Sequence, residues 1–382
     1  MAKRGSGKKK RSGSASVALS VIVVLIIVAV FALDYFGVID IPFENILGSQ
    51  TVTPKPHKDV VISGDLQIHF LELGNKYTGD CTYIKAGDTD VLIDAGSRTS
   101  SISTITSYIN NYCTDGVLEY VIVTHAHQDH YAGFAGDSLH ESIFSIYECK
   151  TIIDFALTNN ESSKMYQNYQ TELNKEIKAG ATHYTAADAV KQGKVKFALS
   201  ENVELEILDS YFYYNKSSDE NNYSVCCLIN QGEAHYLFTG DLEKDGEKYL
   251  VEMNELPEVE LYKAGHHGSK TSSNDVLLSV INPKIVCVCC CAGSDEYTKT
   301  NENMFPTQAF VDRIAKYTDR VYVTTLSVNN ETGEYTSMNG NIVVTASKDG
   351  IKVTCSASDT VLKDTEWFKK NRICPAAWKP ES

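Results

Sequence analysis

Short apolar runs recur along the chain from about residue 66 onward, and polar or glycine-containing segments separate them. Some of these runs alternate apolar with polar side chains, as Val203–Leu208 does, whereas others are apolar throughout. Both patterns are typical of β-strands. We therefore predict strands at Ile68–Leu73, Cys81–Ile84, Asp90–Asp94, Tyr120–Thr124, Val203–Leu208, Val225–Ile229, His235–Phe238, Val259–Lys263, Ile285–Cys291, Asn341–Ser347 and Ile351–Cys355.

Helical segments lie between the predicted strands. Ser101–Cys113 has helical length, and residues 160–192 are polar and mostly helical in pattern, which leaves open whether they cover a site. The last two strands flank the turn Lys348–Gly350, and they predict a hairpin because Asp-Gly favours a tight turn. Two series of strands with helices between them predict an α/β (α+β) protein with two sheets face to face and helices outside.

The N-terminal end of the chain has a different character. Val17–Leu33 carries no charge, and it approaches the about 20 apolar residues that a membrane-spanning helix needs. We predict a single transmembrane anchor at residues 17–36, after a basic stub (1–16) and before a proline-containing linker (37–60). The positive-inside rule keeps the stub cytoplasmic and places the rest of this cell-membrane protein outside. A cleaved signal peptide is the alternative, with a weak cleavage signal at Ala29–Ala32.

Charge is distributed unevenly along the chain. The net charge is −14, although six cations lie within the first eleven residues and no acid precedes Asp34. The predicted exported part is therefore strongly acidic. Because cationic contacts drive binding to long duplex DNA, this composition disfavours such a partner. No basic stretch interleaved with aromatic residues stands out between residues 60 and 356.

The eleven cysteines do not suggest a disulfide framework. Cys226 and Cys227, like the cysteines of Ile285–Cys291, lie in apolar runs, where cysteine serves as a small hydrophobic residue. A pairing of Cys355 with Cys374 stays open.

Candidate chemistry is concentrated in the hexad His125–His130, which follows the apolar run Tyr120–Thr124. It holds three histidines and one aspartate within six residues. Neutral imidazole and carboxylate are ligands of Zn²⁺, Mn²⁺ and Fe²⁺. A polar loop with chance histidines is the alternative, and we favour a metal site.

Three other predicted strands also end in metal-competent residues: Asp94, Asp241 and the pair His266 and His267. Each signal is weak by itself, since Gly-Asp after a strand is usually a turn and His-His-Gly is often a solvated loop. Four such loops at one edge of a sandwich would form a much stronger signal.

These loops resemble those of metallo-β-lactamase-fold hydrolases, in particular the branch that resembles the extracellular hydrolase domain of the competence protein ComEC. The matching segments are Leu92–Gly96, His125–His130, Leu237–Asp241, Gly265–Ser272 and Gly340–Gly350. The resemblance covers residues 66 to 356 approximately. It implies a four-layer αββα metallo-β-lactamase sandwich behind the anchor, with a hydrolase domain at 61–358 and a C-terminal tail at 359–382.

The resemblance also implies roles for individual residues. His125 and His127 would hold one divalent ion, and Asp129, His130 and His266 a second, with Asp241 bridging the two. We choose His266 over His267 on its loop position. One or two ions, Zn or Mn, would act together with Asp129 and Asp241 in catalysis. Asp94 would orient a ligand histidine, while Ser269 amides or Lys270 would contact substrate, although Lys270 is equally well explained as a solvated cation.

Two positions depart from the family pattern. Asn221–Ser224 stands where relatives usually supply a further histidine to the first metal, which puts the affinity of that site in doubt. Phe305 stands where relatives commonly carry a histidine before the proline, which questions a substrate contact or proton donor there.

Together these features predict a membrane-anchored, extracytoplasmic metal-dependent hydrolase. We expect a phosphodiesterase or nuclease that uses a metal-bound hydroxide on a small phosphodiester, a nucleotide or a short single strand. One alternative is a lactam, lactone or thioester hydrolase of the same fold. The other is a non-catalytic surface binding protein.

Overall fold

Two eight-stranded β-sheets face each other in the part of the chain that the structure, a computed structural model, describes: His57 and residues 60–379. The stub, the anchor predicted at 17–36 and nearly all of the linker lie outside these residues. Within residues 60–379, no helix combines the length and the apolar character that a membrane span requires.

All the predicted strands are present, with ends shifted by a few residues. The strands are β1 (Leu66–Phe70), β2 (Thr82–Ala86), β3 (Thr89–Ile93), β4 (Val117–Val123), β5 (Glu148–Asp154), β6 (Thr182–Thr185), β7 (Lys196–Ser200), β8 (Val203–Ile207), β9 (Cys227–Gln231), β10 (Ala234–Phe238), β11 (Leu261–Lys263), β12 (Ile285–Ala292), β13 (Val321–Asn329), β14 (Glu334–Ser337), β15 (Ile342–Ser347) and β16 (Gly350–Cys355). The first sheet has the order β16-β15-β1-β2-β3-β4-β5-β6 and the second β14-β13-β12-β11-β10-β9-β8-β7.

Helices cover the outer faces of both sheets. They are α1 (Ile102–Ile109), α2 (Gln128–Ala135), α3 (Ile143–Ile146), α4 (Lys164–Ala179), α5 (Ala186–Lys191), α6 (Lys244–Met253), α7 (Asp275–Ile281), α8 (Gln308–Ile314) and α9 (Glu366–Asn371). Buried residues of α1 to α5 join the core that also fills the space between the sheets, and those of α6 to α9 join a second core. This arrangement confirms the predicted αββα layering.

Strand β12 shows why the layers hold together, because it is buried over its whole length. Its odd positions, such as Cys287 and Cys289, enter the core between the sheets, and its even positions, such as Val286 and Val288, enter the second core. Alternate side chains of a strand point to opposite faces, so one apolar run serves both cores. Cysteine acts here as a small apolar residue, as predicted, and all eleven cysteines are free.

The C-terminal segment folds back onto the second core. Leu362, Phe368 and Trp378 are buried there. The domain boundaries at 61 and 358, and the tail at 359–382, stay predictions.

Candidate metal centre

The metal-competent loops meet at one edge of the sandwich because they follow parallel strands. β3 and β4 are parallel neighbours in the first sheet, and β10 and β11 are parallel neighbours in the second. Asp94 follows β3, the hexad His125–His130 follows β4, Asp241 follows β10 and Gly265–Gly268 follows β11. Loops at the carboxyl ends of such strands open toward the same side.

The loop after β3 supports the hexad at close range. The amide of Ala95 donates a hydrogen bond of 2.7 Å to the carbonyl of His130, and a Cβ on Gly96 would overlap the carbonyl oxygen of Asp129. Only glycine allows a neighbouring backbone to come so near. The segment Asp94–Gly96 therefore holds two candidate ligands in position.

Three side-chain atoms lie at mutual separations that suit one tetrahedral ion, and a carboxylate oxygen of Asp129 adjoins one of them. Nε2 of His130 is 3.0 Å from Oδ2 of Asp241 and 3.3 Å from Nε2 of His267. Nε2 of His267 is 3.2 Å from the same Asp241 oxygen and 3.4 Å from Oδ2 of Asp129. Ligands at about 2.0–2.1 Å from a tetrahedral ion are about 3.3 Å apart. His130, Asp241 and His267, all buried, can therefore hold one ion together, with Asp129 beside His267 as a further candidate ligand.

Hydrogen bonds on the far side of the two imidazoles orient them for this role. Nδ1 of His130 lies 2.7 Å from Oδ2 of Asp94, and Nδ1 of His267 lies 2.9 Å from the carbonyl oxygen of Cys289. Since a carbonyl only accepts, the proton of neutral His267 belongs on Nδ1, and its Nε2 keeps a lone pair for metal. Asp94 thus lies beside Nδ1 of His130, and the orienting role predicted for it stays a prediction.

A second pair of imidazole nitrogens adjoins this cluster. Nε2 of His125 and Nδ1 of His127 are 3.0 Å apart, and Nε2 of His125 is 4.0 Å from Oδ2 of Asp241. The Asp241 oxygen that faces His130 therefore also lies toward His125, and the bridging role predicted for Asp241 stays a prediction. Ser224 approaches from the missing-histidine segment, with its Oγ 3.4 Å from Nδ1 of His125.

The predicted choice of His266 as ligand needs correction, because His267 lies in the cluster instead. Both residues have positive φ angles, 44° and 56°, in the tight turn after β11. This turn buries His267, whereas Nδ1 of His266 lies 3.1 Å from Oε1 of Glu243 and 3.2 Å from Oγ1 of Thr271. Loop position in the sequence does not indicate which side of such a turn a side chain takes.

Ser269 has other partners and Lys270 faces solvent, so their predicted contact with substrate stays a prediction. The Ser269 amide donates to the carbonyl of His266 at 2.8 Å, its hydroxyl lies 2.9 Å from Oγ1 of Thr271, and Lys270 is exposed. Phe305 does line the centre, since its ring centroid is 5.9 Å from that of His267.

Sequence reasoning missed a buried ion pair behind the centre, formed by Asp80 and Lys263. Asp80 is near enough to His130, Asp241 and His267 to share an ion with them. However, its oxygens approach Nδ1 of His267 at 3.1 Å and Nδ1 of His130 at 3.7 Å, the nitrogens opposite to those that converge. We therefore place Asp80 behind the ligands.

Lys263 bears directly on the geometry of Asp241. Its ammonium lies 3.7 Å from Oδ1 of Asp241 and donates to the carbonyl of Gly240 at 3.2 Å. It therefore holds Oδ1 on the far side, which leaves Oδ2 facing the imidazoles. Nothing in the sequence distinguished this lysine, which ends an apolar strand.

Tyr297 was also missed. Its phenol donates a hydrogen bond of 2.6 Å to Oδ2 of Asp129, the oxygen that faces the cluster. It lies in the loop after β12, where no motif singled it out.

The centre has a strongly negative electrostatic environment. Burial lowers the pKa of His130, but the carboxylates of Asp241 and Asp94 outweigh it and raise that pKa to about 10. Burial raises the pKa of Asp241, and the imidazoles of His130 and His267 reverse this and bring it well below its ordinary value. In contrast, burial and two neighbouring imidazoles lower the pKa of His125.

The residues present fit divalent ions. Four buried carboxylates surround the centre against the single ammonium of Lys263; they belong to Asp80, Asp94, Asp129 and Asp241. Burying uncompensated charge is costly, and divalent cations would offset it.

Asp94→Asn is expected to lower metal affinity by about 10–100-fold, the usual loss for a residue that orients a ligand. The amide nitrogen can donate to Nδ1 of His130, which would move the imidazole proton to Nε2 and block the lone pair. Asparagine tolerates the φ of 59° at this position, so the backbone need not change. Calorimetric titration of the chelated protein with Zn²⁺ measures the effect, with the exposed Asp88→Asn as control. Equal affinity of the two variants would contradict the role of Asp94.

Comparisons with known proteins agree with this geometry. A family model described as the metallo-beta-lactamase superfamily matches residues 74–151, which include Asp94 and the hexad. The chain is 29% identical over 108 residues to Recombination protein 2 of Haemophilus influenzae, a match of 28% of this chain and 13% of that protein.

Two further relatives carry names from the competence group. ComE operon protein 3 of Bacillus subtilis is 26% identical over 213 residues, 53% of this chain and 23% of that protein. Competence protein ComA of Neisseria gonorrhoeae is 32% identical over 113 residues, 29% of this chain and 15% of that protein. The matches thus span less than a quarter of the length of each relative.

Proposed function

We propose that this chain, whose resemblance to the metallo-β-lactamase superfamily and its competence-protein branch is confirmed, is a metal-dependent phosphodiesterase. The observation that carries the proposal is the position of Oδ2 of Asp241. It lies 3.0 Å from Nε2 of His130 and 4.0 Å from Nε2 of His125, so one oxygen faces both ligand groups. Sites that clamp two ions stabilise the attacking and the leaving oxygen of a phosphodiester.

The residues of the centre would have different roles in metal binding. Asp129, His130 and His267 would hold one ion and His125 and His127 the other, with Asp241 between them. Bound divalent ions supply Lewis acidity and lower the pKa of a coordinated water. Asp94 accepts the Nδ1 proton of His130, which would leave Nε2 to the ion, and Lys263 keeps Oδ2 of Asp241 turned inward. The buried position of all but His127 excludes bulk water from the ligand set.

The substrate class follows from resemblance and charge. The name Recombination protein 2 concerns recombination, a process of nucleic acids, which supports a phosphodiester over a lactam, lactone or thioester. The net charge of −14 supports a small phosphodiester, a nucleotide or a short single strand over long duplex DNA. We retain the anchor at 17–36 and a location outside the cell membrane as part of this proposal.

The test is metal-dependent hydrolysis by the full-length chain after chelation and reloading with Mn²⁺ or Zn²⁺. The substrates are bis-p-nitrophenyl phosphate, a short single-stranded oligonucleotide, a duplex of the same sequence and a lactam chromophore. We expect cleavage of the first two that metal restores and that Asp129→Ala abolishes. Hydrolysis of the lactam alone would refute the phosphodiesterase proposal. Silence on every substrate, with no metal retained, would favour a binding protein.

A further inference from the structure

The loop after β12 brings a phenol to the mouth of the metal centre. The hydroxyl of Tyr297 donates to Oδ2 of Asp129 at 2.6 Å, and that oxygen is 3.4 Å from Nε2 of His267. An ion held through these atoms would lie about 2 Å from each of them. The phenol is therefore placed next to any substrate oxygen that binds the same ion.

Tyr297 is also open to solvent, unlike the residues behind it. Its exposed fraction is 54%, whereas that of Asp129 is 8%. A residue that only braced a buried carboxylate would not need an exposed ring. Tyr297 thus connects the interior of the centre with the surface from which substrate arrives.

The loop that carries Tyr297 is held on the N-terminal side of this residue. Glu296 accepts a hydrogen bond of 2.9 Å from the amide of Thr78 and pairs with Arg98 at 2.7 Å. The carbonyl of Gly293 accepts from Asn330 at 2.9 Å. With its neighbours fixed, the phenol needs only a side-chain rotation to exchange Asp129 for another acceptor.

Phe305, which lies beside Tyr297, has no hydrogen-bond donor in its side chain. It stands at the position where relatives commonly carry a histidine, and its ring has no group that can donate to a phosphate oxygen. The Phe305 and Tyr297 rings lie against each other with centroids 5.4 Å apart. The phenol of Tyr297 thus reaches the same part of the mouth from the neighbouring loop.

We propose that Tyr297 contacts the substrate and donates a hydrogen bond to a non-bridging oxygen of its phosphate group. This inference rests on the proposed phosphodiesterase function for its substrate. The phosphate oxygen competes with Oδ2 of Asp129 for the phenol proton, and no bond to the proton donor is broken in the contact.

The test compares Tyr297→Phe with the unaltered full-length chain in three measurements on metal-loaded protein. They are the affinity for Zn²⁺, the affinity for inorganic phosphate by calorimetry, and kcat and KM for bis-p-nitrophenyl phosphate. Tyr77→Phe is the matched control, because Tyr77 is an exposed tyrosine beside Arg98 and no hydrogen bond of its hydroxyl is present in the described residues. Both variants delete one oxygen and keep the ring.

We expect Tyr297→Phe to keep the Zn²⁺ affinity within about 3-fold and to weaken phosphate binding by about 10-fold, the loss of one hydrogen bond to a charged acceptor. We expect kcat/KM to fall by about 100-fold, as for other donors to a developing negative charge. Tyr77→Phe should leave all three values unchanged.

Three outcomes separate this inference from the proposed function. A loss of Zn²⁺ affinity with unchanged phosphate affinity would overturn it, because Tyr297 would then only brace Asp129. Hydrolysis that Tyr297→Phe leaves intact would overturn it while the phosphodiesterase stands. Phosphate binding that depends on Tyr297, without hydrolysis of any phosphodiester, would support the contact and refute the phosphodiesterase.

Discussion

His267→Ala is expected to reduce metal-dependent phosphodiester hydrolysis by more than about 100-fold. This exceeds the loss of activity that follows mutation of residues that only hydrogen-bond to the metal ligands. Its Nε2 lies within 3.4 Å of Asp129, His130 and Asp241, so the variant removes one corner of the tetrahedral ligand set. Three ligands would remain for that ion, and the bridging carboxylate would lose a fixed neighbour. Activity and bound metal are measured on the same preparations.

His266→Ala is the matched control, since it changes the adjacent residue of the same turn. Its imidazole is engaged with Glu243 and Thr271, away from the cluster, and we expect activity within about 3-fold of the unaltered chain. The reverse result, with His266→Ala inactive and His267→Ala active, would restore the ligand assignment that loop position predicted. Loss of activity in both variants would indicate damage to the turn. The bound metal in His266→Ala then tells whether the ligand set is still intact.

Lys263→Met is expected to destabilise the fold by about 3–5 kcal/mol, the usual cost of removing one partner of a buried ion pair. The ammonium is 3% exposed and pairs with Asp80, which would stay buried without its cation. Burial lowers the pKa of Lys263, yet the carboxylates of Asp80 and Asp241 outweigh it and raise that pKa, so the charge is present at neutral pH. Urea unfolding in the presence of a chelator measures the change without a contribution from metal.

Two further variants serve as controls for this prediction. Asp80→Asn combined with Lys263→Met removes both charges and should recover most of the lost stability, since no unpaired carboxylate remains. Lys196→Met breaks an exposed pair with Glu204 and should cost less than about 1 kcal/mol. A single variant at Lys263 that is no less stable than the double variant would disprove the ion pair's structural role.

Much of the fold could be predicted because its strands are buried. β12 is fully enclosed, so its sequence is a continuous apolar run, and β8 and β15 alternate because one face is less covered. Five strands were not predicted, namely β5, β6, β7, β13 and β14. Of these, β6, β7 and β14 are short and half exposed, and β5 and β13 each combine a buried end with an exposed one. The polar residues of β6 gave the region 160–192 a mostly helical pattern, although β6 and two helices share it.

The sequence by itself determined which side chains can bind metal and at which strand ends they stand. Histidines and aspartates at His125–His130, Asp94 and Asp241 carry this information locally, because ligand chemistry depends on residue type and each loop follows its own apolar run. The parallel pairing of β3 with β4 and of β10 with β11 then brings the loops to one edge.

Only the tertiary structure decided which atoms face the centre. His267 rather than His266 turns inward because of backbone angles in one tight turn, which no spacing reveals. Lys263 and Asp80 are almost 200 positions apart, and Tyr297 reaches Asp129 across 168. Contacts between such distant segments depend on how two sheets pack, and the local pattern of a sequence carries no record of that packing.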